Sequence, residues 1–427
     1  MIDASRPAAE TKATVETLAR RAKAAARDVA RADGARKNRF LAEISAALRG
    51  GARRAVLEAN AADVLAATAA GLSAALVDRL RLDEARLDGI ARSVDRVREL
   101  PDPVGTVLGL RALPNGLRAG RMRVPIGLVA IVYESRPNVT IDAAVLCVKS
   151  GNACVLRGGS ESFRTNSALA DVVAGALAAA GLPRDAVSLV ATTDRSATQV
   201  LVGLSGVVDL AIPRGGESLI RFVTEHARVP VIQHYKGVCH VYVDGDADLD
   251  VAVRIAVNAK TQRPGVCNAM ETLLVDRACA DAFLPRVATE LVALGVTLRA
   301  DDAARRRVPE AVAATPEDWD TEYLDLVLSI AVVDGLDGAL EHVARHGTNH
   351  TEAIVTTSYG KAERWLTEVD ASVVLVNAST RFNDGGELGL GAELGISTSK
   401  LHAYGPMGLE ELCTTKWIVY GHGQVRG

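Results

Sequence analysis

Short runs of Val, Ile and Leu alternate with helical stretches along this 427-residue sequence, and this alternation constrains the fold more than any other feature. Strands that are apolar throughout are typical of a parallel sheet covered by helices on both faces. The first run therefore predicts a doubly wound, nucleotide-binding lobe. Its predicted strands cover 127–132, 153–156, 186–190 and 207–212, and its predicted helices cover 140–149, 162–180 and 197–204.

A second alternating run begins near His240 and predicts a second α/β lobe. A chain of this length rarely builds one core, so we expect two or three lobes that share a ligand-binding cleft. The first hundred residues have helical spacing and predict a helical layer. The second run predicts strands over 240–243, 272–275, 328–333, 353–356 and 373–376, and helices over 250–259, 278–294 and 336–346.

Glycine marks two further segments. Asn115-Gly116 lies between two extended stretches within 111–124, which predicts a β-hairpin of the kind that often serves assembly. Beyond Thr380 the chain is glycine-rich and irregular, which suits a backbone that passes close to a ligand.

Charge and cysteine usage exclude several classes of protein. The 49 Lys and Arg against 52 Asp and Glu leave a net charge of −3, which argues against a nucleic-acid or acidic-membrane partner. No apolar run approaches the roughly 20 residues that a bilayer requires. The N-terminal stretch lacks the pattern of a secretory signal. Six cysteines without close pairing indicate reduced thiols, so we expect a cytoplasmic protein with no metal site and no disulfide framework.

Cys267 is the candidate nucleophile. It lies in a predicted loop between Gly265 and a strand, with Lys260 and Arg263 nearby in the sequence. Cationic neighbours and free backbone amides lower the pKa of a thiol and raise its thiolate fraction. A buried structural cysteine is the alternative, which we prefer for Cys147, Cys154 and Cys279 in their apolar surroundings, whereas both interpretations stay open for Cys267.

Two glycine-containing turns follow strands of the first lobe, and each opens a predicted helix. Glycine lets the backbone approach a pyrophosphate, while a helix N-terminus and an arginine supply positive potential. Neither turn is a GxGxxG string, so ordinary strand-to-helix turns are the alternative. The candidate cofactor residues are Arg157, Gly158, Gly159, Ser160, Arg214, Gly215 and Gly216.

The string Tyr133-Glu-Ser-Arg-Pro-Asn138 comes at the carboxyl end of a predicted strand, where open α/β sheets bind ligands. Asn138 is a candidate catalytic residue that would donate to a developing oxyanion, and Arg136 is a candidate for holding an anionic group. A simple helix-entry turn is the alternative.

The strings that carry a family resemblance are VPIGLVAIVYESRPNVT, GNACVLRGGSES, QRPGVCNAMETLLV and NASTRFNDGGELGLGAELGIST. Nearly the whole chain resembles the aldehyde dehydrogenase superfamily. The resemblance implies an aldehyde dehydrogenase-like α/β fold of two doubly wound lobes plus an oligomerisation hairpin, with Cys267 as the acyl-carrying nucleophile. Arg157 replaces a lysine that contacts the adenosine ribose, which implies NADPH. Glu322 resembles the glutamate that holds the nicotinamide ribose, and Glu393 a late glutamate of the superfamily; for both, a structural carboxylate is the alternative.

The resemblance also implies a division of the chain. Residues 1–110 and 125–238 would bind NADP(H), and 239–383 would form the catalytic domain. Residues 111–124 and 408–427 would serve oligomerisation, and 384–407 would form a glycine-rich return segment at the cleft.

The strings are most similar to a branch that reduces γ-glutamyl phosphate to glutamate 5-semialdehyde and phosphate with NADPH, in proline biosynthesis. His234 stands where hydrolytic members have the glutamate that activates water. Without that glutamate a thioester would not be hydrolysed, which suits an enzyme that reduces it. Arg136, Lys260 and Arg263 are candidates for holding the substrate.

A homo-oligomer is expected, and channelling with glutamate 5-kinase is left open. The alternatives are a reductase of another acyl phosphate, a CoA-acylating dehydrogenase and a noncatalytic dinucleotide-binding protein.

Overall fold

Two parallel sheets organise the computed structural model, which describes residues 9–426. The chain divides into two compact units. The first unit contains the described residues up to Gln233, Gly389–Gly395 and the segment from Met407 onward; the second contains His234–Leu388 and Ile396–Pro406. The glycine-rich segment 384–407 is therefore shared between the units. The functions assigned to the predicted domains stay predictions.

The first unit begins with the predicted helical layer. Asp33 and Asp83 begin two of its helices by accepting hydrogen bonds from the backbone N–H groups of Arg36 (2.8 Å) and Arg86 (2.7 Å), and such N-caps are worth about 1 kcal/mol each. No helix within residues 9–426 is both long and apolar enough to cross a membrane. The layer consists of helices Ala9–Arg31, Gly34–Arg49, Arg53–Ala69, Ala74–Leu80 and Glu84–Glu99.

The sheet of the first unit has four parallel strands, in the order Val187–Leu189, Ala153–Gly158, Leu128–Tyr133 and Leu210–Arg214. Leu128, Ala130 and Val132 share one apolar cluster with buried residues of the first helix. The intervening residues of that strand are also buried, so both faces of the sheet are covered. The associated helices are Asn138–Lys149, Phe163–Ala179, Ser196–Val202 and Glu217–His226, with short 3₁₀ turns at Ser160–Ser162 and Arg184–Ala186.

The predicted hairpin is confirmed and gains a third strand. Val107–Ala112 pairs antiparallel with Arg118–Pro125, and Asn115 Oδ1 accepts from Leu117 N (3.1 Å) at the turn. Cys413–Tyr420 then pairs antiparallel with the second hairpin strand over its whole length. The end of the chain thus completes a sheet that begins near residue 107.

The second unit contains a sheet of seven parallel strands whose residues alternate between two apolar clusters. This confirms the second doubly wound sheet. The strands, in sheet order, are Val312–Ala313, Thr297–Ala300, Val327–Val333, Met270–Asp276, Cys239–Val243, Thr351–Val355 and Val373–Val376. The helices are Leu249–Thr261, Ala280–Ala293, Asp302–Arg305, Gly335–His346 and Tyr359–Glu368, with 3₁₀ turns at Pro316–Asp320 and Thr380–Phe382. Ile396–Ser397 and Gly405–Pro406 form a small antiparallel pair.

Candidate active site

Cys267 lies at the edge of the second sheet where three neighbouring parallel strands begin. It precedes strand Met270–Asp276, while His234 precedes the adjacent strand Cys239–Val243 and His350 precedes the next, Thr351–Val355. The Cys267 sulfur and one ring nitrogen of each histidine all lie within 4.8 Å of one another. Cys267 is half-buried, whereas the other five cysteines are buried.

The two imidazoles tune the Cys267 thiol. Burial alone would raise the pKa of this thiol, but the charge and hydrogen bonding of His350 and His234 outweigh burial and hold the pKa well below its usual range. The thiolate is the form of cysteine that attacks carbonyl carbons. The geometry therefore provides an activated nucleophile.

Each imidazole makes a hydrogen bond through Nδ1. His234 Nδ1 lies 2.9 Å from the Ile396 carbonyl, which can only accept, so Nδ1 carries the proton and Nε2 is the nitrogen left to meet the thiol. His350 Nδ1 lies 2.7 Å from Thr351 Oγ1 and 3.5 Å from Cys239 Sγ. The buried Nε2 of His350 has no hydrogen-bond partner among the described residues.

The main chain around Cys267 is held closely. The Cys239 thiol donates to the Cys267 carbonyl at 3.1 Å. A Cβ added at Gly237 would lie 2.8 Å from the Cys267 carbonyl carbon, closer than real Cβ contacts allow. The Gly237 N–H bonds to Glu322, and the pKa of that carboxyl is raised by burial first and by the Cys267 charge second. Glu322, predicted for cofactor binding, therefore lies beside the nucleophile.

Arg381 is a cation that the sequence analysis missed. It lies in the 3₁₀ turn Thr380–Phe382, and its guanidinium donates to Gln262 Oε1 at 2.8 Å and to Asn268 Oδ1. Burial lowers the pKa of Arg381, and the charges of Arg263 and Cys267 also act on it. Arg381 thus lies close enough to Cys267 for their charges to interact, and the predicted Arg263 lies close to Arg381.

A cavity of about 230 Å³ lies in the first unit at the carboxyl ends of its strands. Arg157 is 6% exposed there and donates to the carbonyls of Gly158, Thr193 (3.3 Å) and Asp194 (3.1 Å). Arg195, which was not predicted, lines the same cavity and is exposed. The cavity is also lined by the predicted residues Gly159 and Ser160 and by Glu161, Thr198, Ser218 and Phe222.

A family model described as the aldehyde dehydrogenase family matches residues 4–305. The chain belongs to the aldehyde dehydrogenase family. It is 57% identical over 421 residues to a γ-glutamyl phosphate reductase of Sorangium cellulosum (strain So ce56), covering 98% of this chain and 99% of the relative. It is 54% identical over 412 residues to a γ-glutamyl phosphate reductase of Moorella thermoacetica, covering 96% and 98% of the two chains.

A solved structure agrees with these relatives. The crystal structure of γ-glutamyl phosphate reductase from Thermotoga maritima is 44% identical in sequence, with a TM-score of 0.93, and the match covers 97% of this chain and 100% of that one. The predicted aldehyde dehydrogenase-like fold and family are confirmed.

Several other predicted residues lie in the first unit. Arg136, Gly215 and Gly216 line a second cavity of about 250 Å³. Arg214 packs against Gly395, where an added Cβ would lie 2.8 Å from its Nη1. The Asn138 amide donates to Asp142 at 2.9 Å, and its role as an oxyanion donor stays a prediction.

Gly158, Glu393 and Lys260 complete the predicted residues of this aldehyde dehydrogenase family member. Gly158 ends the strand Ala153–Gly158. Glu393 lies half-buried in the first unit, and its assignment also stays a prediction. Lys260 lies in the second unit, where its ammonium is 2.5 Å from Glu271 Oε2 and both side chains have 0% exposure. Lys260 has no accessible surface for a substrate, so its predicted role in substrate binding has no geometric support.

Proposed function

We propose that this member of the aldehyde dehydrogenase family reduces γ-glutamyl phosphate to glutamate 5-semialdehyde and phosphate, using NADPH, in proline biosynthesis. The observation that carries the chemistry is the Cys267 thiol beside two imidazoles that lower its pKa. The substrate is proposed from the names of the full-length relatives. An acyl phosphate suits this nucleophile because phosphate is a good leaving group.

In the first step the Cys267 thiolate attacks the acyl carbon, forming a C–S bond while the carbonyl electron pair moves onto oxygen. The backbone N–H of Cys267 would stabilise that oxyanion. The pair then returns to re-form the carbonyl as the C–O bond to phosphate breaks, which leaves a thioester on Cys267. Arg381 and Arg263 supply guanidinium groups suited to the phosphate or the α-carboxylate.

His234 would keep water from competing with reduction. Its Nδ1 proton is donated to the Ile396 carbonyl. When its Nε2 holds the proton that came from Cys267, the ring has no lone pair left to deprotonate a water molecule. A thioester beside such an imidazolium would survive for reduction.

We propose that the cavity of the first unit holds part of the dinucleotide. The buried Nε of Arg157 has no partner among the described residues, and Arg195 is exposed in the same wall. The N-terminus of helix Glu217–His226 follows Gly216 and offers backbone N–H groups suited to a pyrophosphate. We propose that Arg195, with Ser160, holds the ribose phosphate of NADPH. When bound, the cofactor supplies the hydride that reduces the thioester.

Replacing Cys267 by alanine tests this function. The assay follows the phosphate-dependent reduction of NADP⁺ with glutamate semialdehyde, the reverse reaction. We expect C267A to lose at least about 10⁴-fold in kcat, as removal of other enzyme nucleophiles does. C279A, which removes a buried thiol of the same unit, is the matched control and should keep its activity. Retained turnover in C267A, or wild-type turnover that requires CoA instead of phosphate, would contradict the proposal.

A second arm tests the cofactor. Wild-type protein should show higher kcat/KM with NADP⁺ than with NAD⁺. R195Q should lower the value for NADP⁺ by about 10- to 100-fold, the equivalent of a charge-assisted hydrogen bond, and leave that for NAD⁺ nearly unchanged. Equal values for both cofactors in the wild type would refute the NADPH assignment.

A further inference from the structure

The thiol and the two imidazoles at the edge of the second sheet have the composition of a metal-ligand set. Cys267, His234 and His350 each offer one ligand atom, and these atoms lie within 4.8 Å of one another. Thiolate and imidazole are ligands that favour Zn²⁺ among the divalent metal ions. The three residues precede three separate strands and lie far apart in the sequence, so spacing along the chain could not reveal this set.

A second observation points to a ligand. His350 is fully buried and acts on the Cys267 thiol, yet its Nε2 has no hydrogen-bond partner among the described residues, which is costly for a buried polar atom. Its Nδ1 is engaged by Thr351 Oγ1, and His234 Nδ1 by the Ile396 carbonyl. Metal-binding histidines are commonly oriented by such hydrogen bonds on the far ring nitrogen.

The spacing also suits a small ion. Bond lengths of about 2.3 Å to sulfur and 2.0–2.1 Å to nitrogen place the donors of a tetrahedral Zn²⁺ site about 3.5 Å apart. The three ligand atoms lie at most 4.8 Å apart, so they would approach one another by little more than about 1 Å on binding the ion. A fourth position stays open for water.

We propose that Zn²⁺ binds Cys267, His234 and His350 and reversibly inhibits the protein. Binding forms one Zn–S and two Zn–N bonds and releases to solvent any proton that these ligands carried. The sulfur electron pair that would attack the acyl carbon is then shared with the metal. The inhibition rests on the proposed function, whereas the binding does not.

Binding is tested with Co²⁺ as a spectroscopic probe on the chelator-treated full chain. We expect near-ultraviolet thiolate-to-cobalt charge-transfer absorption together with the visible bands of tetrahedral Co²⁺. C267S should abolish the charge-transfer band. H234N and H350N should each weaken binding at least about tenfold, since even outer-shell partners contribute 10- to 100-fold. H422N, at an exposed histidine, is the control and should bind as the wild type does.

A second measurement uses only the wild-type chain, so it holds even if a histidine variant does not fold. Zn²⁺ should slow the alkylation of Cys267 by iodoacetamide, followed by intact mass, and a chelator should restore the rate. Absence of the charge-transfer band, its persistence in C267S, or unprotected alkylation would overturn the site. A chain that shows the band but does not turn over γ-glutamyl phosphate would overturn the proposed function and leave the metal site standing. A chain that turns over without Zn²⁺ inhibition would overturn the inhibitory role.

Discussion

Replacing Gly237 by alanine would test whether close backbone packing fixes the nucleophile. Gly237 is not among the glycines with positive φ, so alanine can adopt its backbone conformation and the added Cβ is the whole perturbation. That Cβ would lie 2.8 Å from the carbonyl carbon of Cys267 and 3.1 Å from its Cα. Ordinary van der Waals contact begins at 3.4 Å.

The size of the effect follows from these distances. The added Cβ overlaps the carbonyl oxygen of Cys267 most severely, and the carbonyl carbon must move by more than about half an ångström to reach ordinary contact. No side-chain rotation can relieve the overlap because these atoms belong to the main chain. A misplacement of about 1 Å at a catalytic group costs on the order of 100-fold in rate. We therefore expect kcat of G237A to fall by about 10- to 100-fold.

The assay is phosphate-dependent NADP⁺ reduction, with the rate of Cys267 alkylation by iodoacetamide as a second readout and circular dichroism to confirm folding. G360A is the matched control, because Gly360 lies in a helix of the same unit and no atom lies within 4 Å of its added Cβ. G360A should behave as the wild type. A folded G237A chain with the kcat and the alkylation rate of the wild type would refute the idea that this contact positions the thiol.

Three further variants test other parts of the site. H350N should raise the pH at which Cys267 is half-maximally alkylated, because His350 lowers the pKa of the thiol; an unchanged pH profile would contradict this. K260M should destabilise the second unit by about 3–5 kcal/mol in urea unfolding, because it leaves Glu271 buried and unpaired, and K260M/E271L should recover most of that loss. Full stability of K260M with a raised substrate KM would instead restore Lys260 as a substrate ligand. In the reverse reaction, H234E should let water cleave the thioester, so that glutamate semialdehyde and NADP⁺ give glutamate with no phosphate added, measured by product analysis; absence of hydrolysis would contradict the role given to His234.

The fold could be predicted where burial is complete. Leu128–Tyr133, which is buried throughout, differs from its prediction by one residue at each end, because apolar residues on both faces leave no competing helical pattern. Helix Tyr359–Glu368 was missed because only Trp365 among its residues is buried. Strand Thr297–Ala300 was missed because it is short and polar in alternate positions.

The site was only partly predictable. Local sequence indicated Cys267. It did not reveal that Lys260 forms an ion pair with Glu271 of strand Met270–Asp276, because no spacing rule links the two residues. His350 was missed because its closeness to Cys267 follows from strand order, in which Cys239–Val243 separates Met270–Asp276 from Thr351–Val355. A usable signal existed: His350 lies shortly before the predicted strand 353–356, as Cys267 lies shortly before the predicted strand 272–275.

The pairing of Cys413–Tyr420 with Arg118–Pro125 has a consequence for synthesis on the ribosome. At about 5–20 residues per second, the final strand leaves the ribosome on the order of 15–60 s after its partner. During that interval the sheet consists of two strands only, Val107–Ala112 and Arg118–Pro125, and an isolated two-stranded hairpin is marginally stable at best in water. The third strand is therefore added late in synthesis, and a ribosome that stalls before Cys413 would leave the hairpin without the strand that pairs along the whole of Arg118–Pro125.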